Sequence, residues 1–468
     1  MRDQPHTPHG RQAGGGLRHT LTTVEYFAFG FGSMVGVGWL VLMDDWLGRG
    51  GPGGAMLGFL LCGLLLLPIA ATYGALVRRI QDAGAEIAYT EGVFPSPVSF
   101  AAGWTMVLAY AIVCPWEAVA IGNLLARVIP ALDSWPLYAV AGKTIYAPRL
   151  ALGLLLTALV ALLNYRGIRP SGVFQDVTTF GLLAIFLVFA ALGLAHGQAS
   201  NLQPLFAHPG GEGAWLSTLL VLQIAFYFMT GFESVAKASE EARPGYDPRR
   251  FSRAMYLAVV AGLLFYVIVI GVVSFVYPWR AIVSGHIGTE AAFERAFGSR
   301  LIAQLIIVGA LLSLLKVFNG NFMAATRLLF AIGRRGLVHP VLASVHPRFG
   351  TPSAAVTLLA VLTAGAALLG DAVLVPITEV GPLAGAVGWL AACLAYLARV
   401  RRAHPGHHRA EDAGARPVLA YTGALVSVAI IVMKVLPQVP GSFTGDEWAA
   451  FAGWSVLGLA FWLGRRKT

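Results

Sequence analysis

The chain has 468 residues, of which 57% are hydrophobic and only 12% charged, and its mean hydropathy is +0.70. That composition excludes a water-soluble globule and requires a bilayer. The net charge of +10 does not point to nucleic acid, because most lysines and arginines fall on loops sharing a side with the N-terminus, the bias of a cytoplasmic face.

Twelve segments are long and apolar enough to be expected to cross a 30 Å hydrocarbon core, for which roughly 20 residues suffice. They lie at 26–47, 53–77, 98–128, 149–165, 171–195, 214–239, 254–277, 301–333, 353–370, 375–398, 417–436 and 447–463. Positive-inside counting puts both termini in the cytoplasm. Residues 1–21, with His6, His9 and a Gly14-Gly15-Gly16 run, lack a signal peptide's apolar region and cleavage site and are expected to be a disordered cytoplasmic tail. Cys62, Cys114 and Cys393 all fall inside spans, so neither a disulfide framework nor a metal site nor any cofactor is expected.

The first span contains Gly30, Gly32, Gly36 and Gly38. Each glycine forgoes about 1 kcal/mol of helix stability relative to alanine, so a local break is expected there. Irregular backbone at membrane depth persists only where protein or a water-filled cavity satisfies its N–H and C=O groups, which makes Phe29–Trp39 a candidate ligand site. The competing reading is a small-xxx-small face for close helix packing.

Arg49 to Gly54 reads as a tight external turn. Gln81 to Phe94 is too polar to span and is expected to form a short cytoplasmic interfacial helix. The third span holds Glu117, a carboxylate costly enough at membrane depth to be a functional candidate or the partner of a buried cation. The fourth and fifth spans look like scaffold. The sixth, around Tyr227-Phe228-Met229-Thr230-Gly231-Phe232-Glu233, is again interrupted by glycine and charge, and Lys237 follows four residues after Glu233. Two interrupted spans opening two five-helix units point to an inverted-repeat transporter with a midplane site. The units are expected at 22–197 and 210–398, followed at 399–468 by a cytoplasmic loop, two peripheral helices and a short tail.

At these residues the chain resembles the amino acid-polyamine-organocation permeases over nearly its whole length. Gly32 to Gly38 is similar to that family's first-helix glycine signature, and Tyr227 to Glu241 to its sixth-helix pattern. Ala83 to Phe94 resembles the segment between its second and third helices, and Asn319 to Pro352 its eighth helix and following loop.

The resemblance implies an all-α fold of twelve helices, a 5+5 inverted repeat with discontinuous helices 1 and 6 and two peripheral helices, in a bacterial inner membrane. It implies a secondary transporter moving an amino acid by alternating access. The N–H groups of Gly36, Val37 and Gly38 would hold a substrate carboxylate, and the carbonyls of Met34, Tyr227 and Thr230 its ammonium. Tyr227 and Asn321 would face the side chain, in a pocket without an obvious fixed counter-charge, which favours a neutral or apolar amino acid. The alternative is a cationic amino acid or polyamine bound through Glu117 or Asp44.

Glu233 is expected as a titrating gate or, alternatively, as a fixed partner of Lys237. Glu117 and Lys316 are expected to lie close enough to pair and to join it in gating or proton coupling. Asp44 and Asp45 look like solvated vestibule residues. Val37 stands where the family usually has a hydroxyl. Leu182 stands where some proton-coupled members carry lysine, and Ala325-Thr326 replaces the two neighbouring hydroxyls of a sodium site. Proton coupling and uncoupled exchange both stay open. A permease-like sensor is a rival reading, whereas no nucleophile–base cluster or metal spacing supports an enzyme. His404, His407 and His408 read as a solvated loop.

Overall fold

A computed structural model of the chain describes residue 17 and residues 19–208, 213–370, 374–402 and 417–465. His6, His9, the Gly14 to Gly16 run and the histidines at 404, 407 and 408 lie outside the described residues.

Helix α1 (Thr23–Met34) starts where Glu25 reaches back to accept the Thr22 N–H at 2.7 Å. It stops at Val35, whose φ of −89° and ψ of 91° are extended, and a one-turn helix α2 (Gly38–Val41) resumes the path. Helix α3 (Met43–Arg79) is bent at Gly51, where φ is +64°. That conformation favours glycine, and the backbone of residues 205–207 approaches too closely to admit a side chain there. The expected turn over Arg49–Gly54 is this bend.

Residues 81–94 differ from the expected surface helix. They hold only α4 (Glu86–Thr90), and all five of its residues are buried. Glu86 finds a buried cation across the bundle, so this segment is part of the interior. The third segment is a pair, α5 (Ser96–Ala111) and α6 (Val113–Ala126), followed by a hairpin of β1 (Pro136–Val140) and β2 (Lys143–Tyr146). Ala141 and Gly142, both at positive φ, make its two-residue turn.

Then come α7 (Ala147–Arg166), α8 (Ile168–His196), α9 (Gly213–Met229) and the one-turn α10 (Ser234–Lys237). The rest of the chain forms α11 (Arg249–Val276), α12 (Trp279–Ser284), α13 (Thr289–Phe297), α14 (Arg300–Arg334), α15 (Ser353–Ala367), α16 (Leu374–Arg402), α17 (Pro417–Val435) and α18 (Gly445–Leu463).

Among the described residues, ten helices or helix pairs are long and apolar enough to cross a membrane; α15 is shorter, and α18 is not among the ten. Ten of the twelve expected spans fall on these ten, and 353–370 and 447–463 fall on α15 and α18. The protein is an all-α, multi-pass membrane protein. The α1–α2 and α9–α10 paths are among the most buried, whereas α7, α8 and α17 expose much of their surface, as lipid-facing helices do. α3 packs along α9 and α11, while α14 packs against α5, α6 and α8. The two interrupted helices are thereby held side by side in the centre.

Candidate substrate site

The two breaks touch. Gly231, with φ of +129°, lies against Ser33 so closely that a Cβ there would sit 2.8 Å from the Ser33 backbone. The end of α9 therefore abuts the end of α1, and each helix stops where the other needs room.

A helix end leaves carbonyls bare on one side of a break and N–H groups on the other. On the carbonyl side, side chains supply the donors. Asn321 Nδ2 donates to Ser33 O at 3.1 Å, the Tyr266 hydroxyl to Met34 O at 3.1 Å, and Ser313 Oγ to Val35 O and Gly36 O at 2.9 and 2.8 Å. The ammonium of Lys316 donates to Gly32 O at 3.4 Å and also to Val35 O, and lies over the Phe31 ring. A cation at the negative end of a half-helix is electrostatically favoured. On the other side, the Gly36 N–H faces the Tyr266 hydroxyl oxygen, whereas the N–H groups of Val37 and Gly38 make no backbone hydrogen bond at the break among the described residues. The latter two are bare donors at the start of α2, where a helix end carries positive partial charge.

Gly36, Val37 and Gly38 line a narrow cavity of about 30 Å³, room for a water or two. Met34, Gly36, Val37, Gly38, Tyr227, Thr230 and Asn321 all line it, and so does Glu117. Ala109, Val113, Trp116, Phe228 and Val317 make most of the remaining wall apolar. Gly381 of α16 closes it, placed so that a side chain there would collide with the Tyr227 ring.

Glu117 corrects one expectation, because the cavity does contain a fixed carboxylate. Its Oε1 lies 3.2 Å from the position of a Cβ on Gly36, and its buried Oε2 has no hydrogen-bond partner among the described residues. Lys316 is not its direct partner. The lysine approaches the break from α14 and ends on backbone carbonyls, while Glu117 approaches the Gly36 backbone from α6.

Glu233 lies just beyond the cavity, capping α10, and its Oε2 accepts the Gly231 N–H at 3.2 Å. Lys237 is not its ion-pair partner. The Lys237 ammonium is fully buried, pairs with Glu86 and lies 5.2 Å from the centroids of Tyr73 and Tyr110. Tyr73 donates to the same Glu86 oxygen. None of these four residues lines the cavity.

A second ionic layer follows on the side carrying the N-terminus. Arg327 and Glu241 form a buried two-pronged pair with both bonds at 3.0 Å. Arg334 joins Glu240 and Asp82, and Arg335 joins Asp82 and Glu91. Burial pushes the Asp82 carboxyl up, but the guanidinium groups of Arg335 and Arg334 and the Gly84 N–H outweigh it and hold the group below its ordinary value. Leu17 and Leu21, from the expected tail, are buried here, with the Thr20 and Leu21 N–H groups on Glu241 O.

Asp44 and Asp45 are not free vestibule charges, since Asp45 pairs with Arg49 at 2.9 Å and Asp44 lies 3.3 Å from His286. Thr326 is not at the break, because its hydroxyl bonds Met323 O and receives Arg327. The α14 side chains that do reach the break are Ser313, Lys316, Val317 and Asn321. Sequence reasoning passed over Ser313, Tyr266 and Gly381, and placed Glu86 on a surface helix. It also passed over a buried amide network of Asn164, Ser171, Gln175 and Asn319, although Ser171 and Gln175 stand four apart in an otherwise apolar helix.

The pattern that defines the family described as amino acid permease matches residues 21–461. The chain is 27% identical to the methylthioribose transporter of Bacillus subtilis, over 96% of this chain and 94% of that protein. It is 25% identical to the branched-chain amino acid permease BcaP of the same organism, over 94% and 86%. It is 26% identical to human cationic amino acid transporter 4, over 76% of this chain and 56% of that one.

Proposed function

Since the chain belongs to the amino acid permease family, we propose that it carries an amino acid across a bacterial inner membrane as a secondary transporter, by alternating access around the two breaks. The observation that carries this reading is that the backbone entering α2 at Gly36, Val37 and Gly38, the end of α9 and Asn321 line one cavity.

The fold we infer has twelve membrane helices, with α15 and α18 completing the ten long ones. Residues 22–197 and 210–398 form a 5+5 inverted repeat, residues 399–468 add two peripheral helices, and both termini lie in the cytoplasm.

In this reading the N–H groups of Gly36, Val37 and Gly38 hold the substrate carboxylate. The free lone pair of Met34 O and the carbonyls of Tyr227 and Thr230 receive its ammonium. Tyr227 covers the substrate and Asn321 lies beside its side chain. The apolar wall from Ala109 to Val317 suits a neutral or apolar amino acid. The Lys316 ammonium supplies, from within the chain, the positive charge that a bound cation would otherwise bring to the α1 carbonyls. Glu233, joined to the Gly231 N–H, gates the cavity.

Glu117 supports a link to protons, because its carboxylate and a substrate carboxylate share the Gly36 backbone. Two charges of one sign in a dry cavity repel, so a substrate anion binds best when Glu117 carries a proton. The same Glu117 favours a second reading, a cationic amino acid or polyamine whose positive group pairs with it. Replacement with Gln separates the two. If the substrate is neutral, the Glu117→Gln protein still binds it and loses the pH dependence of uptake. If the substrate is cationic, binding is lost.

A further inference from the structure

Six buried hydrogen bonds join α7, α8, α14 and α1 through side-chain amides, and a seventh stays within α7. Gln175 of α8 is their centre. Its Nε2 donates to Ala28 O of α1 at 3.2 Å and to Lys316 O of α14 at 3.1 Å, and its Oε1 accepts Asn319 Nδ2 at 2.8 Å. Asn319 Nδ2 also donates to Ser171 O at 3.3 Å. Asn319 Oδ1 receives Asn164 Nδ2 at 2.9 Å and Ser171 Oγ at 3.0 Å, and Asn164 Nδ2 also bonds Val160 O at 3.0 Å. Gln175, Asn319, Asn164 and Ser171 are each fully buried.

Gln175 reaches this position only because Gly32 and Gly320 leave a gap. A Cβ on Gly32 would overlap the Gln175 amide, and one on Gly320 would overlap the Ser33 hydroxyl and crowd the same amide. The two residues that Gln175 ties together are informative. Ala28 lies one turn before Gly32, and Lys316 is the residue whose ammonium rests on the carbonyls of Gly32 and Val35. Both ends of the Lys316–α1 contact are therefore held from a third helix.

We propose that Gln175 is a positioning residue of the substrate site, which fixes the inner half of α1 against α14 so that the Lys316 ammonium stays on the broken end of α1. The proposal rests on the reading that this break is where substrate binds. Removing the Gln175 amide, both ends of which are bonded, leaves its buried partners unpaired, so the loss is felt at the α1 and α14 backbones rather than at Gln175 alone.

The test compares Gln175→Leu, of similar size and compatible with an apolar helix, with Thr178→Val on the same helix, whose hydroxyl bonds only its own helix at Phe174 O and Gln175 O. Uptake of whichever amino acid the unaltered protein transports is normalised to folded protein. The KM of Gln175→Leu should rise at least tenfold and that of Thr178→Val should stay within twofold, whereas a merely structural defect lowers the amount of active protein without moving KM. Hydrogen–deuterium exchange on the same proteins, in detergent and without substrate, should quicken in the segments containing residues 28–38 and 314–321 of Gln175→Leu and nowhere else. An unchanged KM overturns the positioning role. Exchange that quickens evenly along the chain, or not at all, overturns it too. If the unaltered protein transports no amino acid, the transport reading fails, and the exchange result still decides whether Gln175 fixes the break.

Discussion

Replacing Gly231 with Ala should weaken substrate binding more than it weakens the fold. Gly231 has φ of +129°, a conformation costing a residue with a side chain about 1–3 kcal/mol. The new Cβ would also lie 2.8 Å from Ser33 C, Cβ and O, which are backbone or backbone-adjacent atoms that cannot swing aside. Forcing extra volume into such a contact costs about 1–3 kcal/mol more. The least costly relief is to separate α1 from the end of α9, and that displaces the cavity's walls. Taking only about 2 kcal/mol of the total as lost from binding, affinity falls roughly thirtyfold. The assay is equilibrium binding of a radiolabelled amino acid to purified protein, alongside thermal unfolding. Gly245→Ala is the control, since Gly245 has φ of +76° but nothing within 4 Å of its Cβ position, so it should lose stability and keep its affinity. If Gly231→Ala melts earlier yet binds within threefold of the original, the contact between the two breaks does not shape the site.

Two further outcomes concern the charged layer on the N-terminal side. Arg327→Met leaves Glu241 buried and unpaired and should cost about 3–5 kcal/mol of unfolding free energy in detergent; adding Glu241→Gln should recover more than half of it, and no recovery would mean that the pair is not what holds the two segments together. Asp82 is held below its ordinary value near ~3.9, so its stabilising contribution is complete above that value and is lost as pH falls through the lower folded value. Thermal stability measured from neutral to strongly acidic pH should therefore show Asp82→Asn less stable than the original at neutral pH and converging with it only once pH falls below the ordinary carboxylate range, whereas parallel curves would remove Asp82 from the acid response.

Most of the helices and the two breaks are legible in the sequence because they depend on local composition. Long apolar runs set the spans, and clustered glycine at residues 30–38 and Gly231 mark where helix is unfavourable. The lining of the cavity followed from the same two breaks together with the family resemblance. What the sequence could not convey is which distant charge meets which. Lys237 stands four residues from Glu233, the usual spacing for a partner on one helix, but α10 is a single turn and its rotation points Lys237 to Glu86, 151 positions away. Lys316 and Glu117 reach Gly36 and its neighbours from α14 and α6, and only the assembled bundle shows that one ends on carbonyls and the other lines the cavity. The buried position of α4 was likewise hidden, because a polar segment whose charges find partners inside the bundle has the same composition as one lying on a membrane surface. The hairpin after α6 carries a short turn signal at Ala141-Gly142 that the surrounding apolar spans obscured.

The measurement to make first is uptake by purified protein in sealed vesicles, across a panel of labelled neutral and cationic amino acids and polyamines, under an imposed proton gradient, a sodium gradient, or preloaded unlabelled substrate. The site predicts that an amino acid accumulates inside, that sodium is not required because Lys316 already occupies the carbonyl end of α1, and that Glu117→Gln alters the response to the proton gradient. If no amino acid or polyamine moves under any of these conditions while one of them still raises the protein's melting temperature, the cavity binds without transporting and the protein is a sensor rather than a carrier.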